Sequence, residues 1–138
     1  MAYVPYRQAC LLRPFNEKPH LFAVLNDPCG EGLCLSVMVS SIKEGRNHDK
    51  ACILDPGDHE FIKVPSYLVY RLAETDAVTH ISAMVEKKYY ITKDNVSDEV
   101  FKRIVAGLHA SDEVRPRIVS YAKKNGIVLG EDAAQHAG

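Results

Sequence analysis

Residues 54–71, LDPGDHEFIKVPSYLVYR, constrain the fold more than any other part of the chain. Gly57 can take positive φ and turn the chain sharply, and Pro65 interrupts any hydrogen-bonded ladder. The segment is therefore a corner or an edge between short strands, not a central strand. Its polar groups (Asp58, His59, Ser66, Tyr67, Tyr70 and Arg71) either face a binding surface or fasten the corner itself. His59 reads as a corner hydrogen bonder, and Arg71 either pairs with Asp55 or Asp58 or meets a ligand. Tyr67 and Tyr70 are three apart and cannot share one strand face. One is expected in the core and the other exposed, where it can stack on a base.

Short apolar runs separated by Gly, Pro and Asp turns precede this corner. Residues 8–13, 20–26, 33–42 and 51–54 read as strands, followed by 67–72 and by 83–91 with its tyrosine pair. The next ~35 residues read as helices, so the chain is an α+β protein. Its strands are expected to form a small antiparallel barrel followed by C-terminal helices. Asn95 or Ser97 can cap the first helix, with Asp98 and Glu99 at its positive end. Val100, Ile104 and Leu108, with Phe101 and Val105, form its apolar stripe, and Gly107 weakens it near its end. Ser111 can cap the next helix, with Pro116 in the first turn. Lys123, Lys124 and Gly126 mark its close. Residues 1–129 are expected to form one domain, and 130–138 a tail too poor in apolar residues to fold.

The 138 residues are enough for one core. A net charge of -1 excludes a global basic field, though not a local basic patch. No apolar run reaches the ~18 residues that a membrane span needs. The N-terminus shows no signal-peptide pattern, so a cytoplasmic location is expected, with Cys10, Cys29, Cys34 and Cys52 reduced. A zinc set can be written from Cys29, Cys34, His48 and Cys52, but its spacing fits the usual patterns poorly.

The residues suited to phosphate chemistry lie at strand ends. Ser40 and Ser41 close the longest strand, and Lys43, Arg46 and His48 lie in the polar loop after it. Hydroxyls can hydrogen-bond a phosphodiester oxygen, Lys and Arg can neutralise it, and His can move a proton. A plain solvated hairpin loop would have the same composition. Lys18 and His20, at the start of the second strand, can add a cation over the same face. The common nucleotide-binding, hydrolase and zinc-protease motifs do not occur.

Four segments resemble the PemK/MazF-like group of small bacterial and phage-associated proteins: KPHLFAVLND at 18–27, LSVMVSSI at 35–42, GDHEFIKVPSYLVYR at 57–71 and VSDEVFKRIVAGLHASDEVRPRI at 96–118. Together they cover most of residues 8–125, and the third is the most specific. The resemblance implies an SH3-like barrel with C-terminal helices, a homodimer, and a cognate antitoxin protein as partner. It also implies metal-independent cleavage of single-stranded RNA, with no cofactor. The family's basic residue at the start of the second strand matches Lys18 or His20, and its Ser/Thr at the end of the third matches Ser40 or Ser41. Lysine stands where the toxins usually carry arginine, and their N-terminal Gly-Asp pair is missing.

On this reading Lys18 and Arg46 stabilise the charged transition state, Ser40 or Ser41 positions the phosphate, and His20 or His48 is the general acid or base. The alternative is a non-catalytic barrel module binding a protein or nucleic acid through Asp58, His59, Ser66, Tyr67, Tyr70 and Arg71.

Overall fold

The computed structural model describes residues 2–129. Seven strands form one antiparallel sheet: β1 (Cys10–Phe15), β2 (Lys18–Val24), β3 (Leu33–Ser41), β4 (Ile53–Leu54), β5 (Ser66–Leu68), β6 (Glu74–Ala77) and β7 (Ile91–Lys93). The hydrogen-bonded order is β4-β5-β3-β2-β1-β7, with β6 also on β3. Helix α1 (Val78–Glu86) lies between β6 and β7, and α2 (Asp98–Ala110) and α3 (Pro116–Lys124) complete the described chain. The α+β class and the C-terminal helices agree with the sequence reading. Among the described residues β4, β6 and β7 each pair on one side only, so no pairing closes the sheet into a barrel.

β1 and β2 form a hairpin in which Phe15 faces Lys18. The two loop residues, Asn16 and Glu17, both have positive φ (49° and 70°). That is the type I′ pattern, whose twist matches the strands it joins. β3 is the longest strand because it serves both of its edges. One edge pairs with β2 through Phe22 and Met38. On the other edge Ser36 faces Glu74 of β6 and Val39 faces Leu68 of β5. Three steps along β3 therefore match six on the opposite side, and a 3₁₀ turn at Tyr70–Leu72 takes up the difference. The strand expected over 67–72 therefore ends at Leu68, and that turn replaces its second half.

The sheet is buried on both faces. Leu21, Ala23, Leu35 and Val37 join the main core beneath α2 and α3. Leu11, Val24 and Cys34 point the other way and pack with Ile81 of α1. Strands covered on both sides carry unbroken apolar runs rather than alternation, which is how residues 20–26 and 33–39 read.

α1 corrects the strand expected over 83–91. Its β-branched residues favour a strand locally. Yet Val78, Ile81 and Val85 recur at helical spacing and all pack in the second cluster, so tertiary burial decides the conformation. Only Ile91 of that run enters a strand.

α2 follows its sequence signals. Ser97 accepts the Val100 N–H at 3.2 Å, and Val100, Phe101, Ile104, Val105 and Leu108 are all buried. Ser111 ends α2 and does not cap α3: its hydroxyl donates to Asp49 at 2.6 Å and accepts the Glu113 N–H. Arg115 precedes α3, and Pro116 opens it. Gly126 follows α3 with φ 73°. The tail expected to be unstructured, 130–138, lies outside the described residues.

Candidate functional site

Antiparallel pairing of β2 with β3 carries the first residues of β2 to the last residues of β3. There a cleft of about 320 Å³ opens, with Lys18, His20, Ser40, Ser41 and Lys43 among its walls. The opposite wall is the β4–β5 connection, with Phe61, Lys63 and Val64. Three ammonium groups thus come from three separate segments. None of them has a carboxylate partner among the described residues, and no carboxylate lines the cleft. The local field favours an anion.

His20 is half-buried, edge-on to Phe15 at 6.0 Å between ring centroids. Its Nδ1 lies 3.3 Å from the Val39 carbonyl oxygen. A carbonyl only accepts, so Nδ1 carries the hydrogen, and in the neutral ring Nε2 is then the acceptor. Ser41 faces Ser66 across β3 and β5, and Ser40 faces Tyr67. Ser66 also lines the cleft, but its hydroxyl donates to the Val64 carbonyl at 2.9 Å and fixes the loop end.

Arg46 and His48 do not join this cleft. They line a second hollow of about 420 Å³ at the end of α2, beside Asp49, Asp112 and Glu113. Three carboxylates there outnumber the two cations, Arg46 and Lys50, and disfavour a phosphate. His48 lies against Tyr67, with ring centroids 5.3 Å apart. The phosphate site written from one strand end and one loop is therefore divided by the fold. Ser40, Ser41 and Lys43 stay with Lys18 and His20, and the loop beyond Lys43 turns away.

The polar stretch at 57–71 is mainly a fastening. Asp58 accepts the Asp55 N–H at 2.8 Å and pairs with Arg103 at 3.2 Å. Burial pushes its carboxyl up, but the Asp55 N–H and the Arg103 guanidinium outweigh this and hold it below the usual range. Arg103 also donates to the Ile53 carbonyl at 2.6 Å, tying α2 to β4. From the sequence, Arg71 is left to pair with Asp55 or Asp58 or to meet a ligand. In the structure it is exposed on the 3₁₀ turn and lines neither hollow. His59 is buried, donates from Nε2 to the Asp94 carbonyl at 2.6 Å, and accepts the Phe61 N–H at Nδ1.

Tyr70 is the core tyrosine: it is fully buried and donates to the Ile104 carbonyl at 2.7 Å. Tyr67 is half-buried and stays outside the cleft. Among the residues assigned to binding from sequence, Asp58, His59 and Tyr70 thus make internal bonds.

Phe61 and Lys63 join the cleft without belonging to the phosphate-site residues at the strand ends. Both stand inside the quoted HEFIKVPS stretch, and the signal that marks them is an apolar and a basic residue beside a turn that already needed fastening.

The cysteines are free. Cys34 and Cys52 belong to different core clusters. Among the described residues no three His, Cys, Asp or Glu side chains gather as a metal set. Burial pushes the Cys10 and Cys34 thiols up to about 12. No helix among the described residues is long and apolar enough to cross a membrane.

No protein-family model and no curated protein matches the sequence. The fold, in contrast, is similar to that of a chain in the crystal structure of MazE-MazF (Form-II) from Deinococcus radiodurans. The TM-score is 0.51 at 14% identity, over 78% of this chain and 94% of that chain. A seven-stranded antiparallel sheet with C-terminal helices, in an arrangement shared with that structure, gives this chain the MazF-like fold that its sequence resembles.

Proposed function

We propose that the protein is a toxin-type endoribonuclease that cleaves single-stranded RNA in the cleft between β2, β3 and the β4–β5 connection. One observation supports this reading above the others: Lys18, Lys43 and Lys63 converge without a carboxylate on a cleft that also holds His20, Ser40 and Ser41. The scissile phosphate lies among the lysines, and the Ser41 hydroxyl donates to a non-bridging oxygen. His20 Nε2 removes the proton from the substrate's own 2′-hydroxyl. That oxygen attacks phosphorus, and the bond to the 5′-oxygen breaks. A lysine ammonium returns a proton to the leaving oxygen. The products are a 2′,3′-cyclic phosphate and a 5′-hydroxyl, so the step needs neither a protein nucleophile nor a cofactor.

The similar structure is a MazE-MazF complex. The same reading therefore gives this protein a cognate antitoxin, and it makes the active form a cytoplasmic homodimer. The alternative of a non-catalytic binding module loses part of its surface, because Asp58, His59, Ser66 and Tyr70 already hold internal partners.

The test is incubation of purified protein with a long single-stranded RNA in the presence of a chelator. Fragments ending in cyclic phosphate are expected, lost in Lys18→Ala and reduced in Ser41→Ala, with both variants folded. Full cleavage by both would overturn the site, and intact RNA with wild-type protein would overturn the activity. Expression should arrest growth of the host, with relief by a small neighbouring gene.

A further inference from the structure

The cations and hydroxyls of the cleft leave its apolar wall unexplained. Phe61 and Val64 are 37% and 51% exposed, although both stand on a segment fastened from every side. The Phe61 N–H donates to His59 Nδ1 at 3.0 Å, and His59 Nε2 donates to the Asp94 carbonyl ahead of α2. Ile62, the next residue, is buried in the main core, and its N–H donates to the His59 carbonyl at 2.9 Å. Upstream, Asp58 is held by Arg103. At the far end Ser66 bonds the Val64 carbonyl.

We propose that Phe61 is the platform on which a nucleobase of the bound strand stacks beside the phosphate, and that buried His59 is the positioning residue that aims it. This rests on the RNA reading above and adds a contact to the base. An aromatic face set among lysines is the composition that single-stranded nucleic acid selects, with cations for the backbone and a ring for the base. Pinning the backbone beforehand lowers the entropy lost when the base arrives. It also gives a use to the polar groups of this corner: the His59 bonds hold the main chain at Phe61 and Ile62, and the Asp58–Arg103 and Ser66–Val64 contacts hold the segment on either side.

The experiment uses the full chain and a single-stranded RNA with 2′-O-methyl riboses, which removes the attacking hydroxyl, carrying 2-aminopurine at successive positions. Wild-type protein is expected to bind and to quench one position. Phe61→Leu should weaken binding by about 5- to 100-fold and restore that fluorescence, and Phe61→Trp should keep both. His59→Gln, with Phe61 in place, should lose the quenching while Lys18 still contributes to affinity. Wild-type affinity and quenching in Phe61→Leu, with binding lost in Lys18→Ala, would overturn this inference and leave the RNA reading standing. No binding by wild-type protein would overturn both. Unchanged RNA binding by Phe61→Leu together with lost binding of an acidic peptide would overturn it in favour of a protein-docking wall.

Discussion

Gly107 lies against Tyr70 in the interior: a Cβ on Gly107 would overlap the phenolic oxygen and fall 2.8 Å from Cys52 Cβ. That oxygen donates to the Ile104 carbonyl, one turn earlier in α2. The glycine that weakens the helix in isolation is what lets α2 approach the 3₁₀ turn.

Gly107→Ala should therefore destabilise the protein by about 1–3 kcal/mol through overpacking, despite a gain of about 1 kcal/mol in helix propensity. Tyr70→Phe alone should cost about 1 kcal/mol, the net worth of one hydrogen bond. Because removing the hydroxyl relieves part of the overlap, the double variant should lose less than the two single losses together. Urea denaturation of the four proteins checks this.

The β1–β2 hairpin holds Glu17 at φ 70°, a conformation that disfavours a residue with a Cβ. Glu17→Gly turns the loop into Asn-Gly, the preferred type I′ pair. It should raise stability by about 1 kcal/mol and leave Lys18 where it is. A higher thermal midpoint with unchanged RNA affinity is the expected result.

Glu74 joins β6 to α3. Its carboxyl is held down at about 2 by the Arg117 guanidinium bonded to it, against the upward push of burial, with the Thr75 N–H and the Arg115 charge adding to the depression. A carboxyl depressed in the folded state stabilises it fully above the ordinary value of 4.5. That contribution is lost as pH falls from about 4.5 toward about 2. Glu74→Gln should be less stable than wild type at pH 7, and the gap should narrow across that window. Chemical denaturation at pH 7, 4 and about 3 measures it.

Lys18, Lys43 and Lys63 should set the salt dependence of RNA binding. Three phosphate contacts predict a slope of about −2 for log affinity against log salt on single strands, and each Lys→Ala change should reduce it by about 0.7. Arg46→Ala and His48→Gln, in the hollow beside Asp49 and Asp112, should leave slope and cleavage near wild type. A loss on either change that equals the loss on Lys18→Ala would return the second hollow to the site.

Local pattern alone was enough for several elements. Ser97, the stripe from Val100 to Leu108 and Pro116 announced α2 and the start of α3, because caps and i, i+4 spacing act within one helix. The turn at Pro56 and Gly57 was equally legible: Gly57 has φ 105° and the Asp58 N–H closes on the Asp55 carbonyl at 3.0 Å. Residues 83–86 could not be read the same way, since their β-branched neighbours favour a strand until the second face of the sheet buries them. The site divides along the same line. Its residue types, Lys18, His20, Ser40, Ser41 and Lys43, stood in the sequence at two strand ends. Which loop residues join them depends on how β3 pairs with β2 on one edge and β5 on the other. That pairing brings Lys63 and Phe61, more than 40 residues from Lys18 along the chain, into the cleft and sends Arg46 and His48 elsewhere. Charge and hydroxyl chemistry were carried by the residues themselves, while their assembly into one cleft was decided by long-range strand register and by burial of both sheet faces.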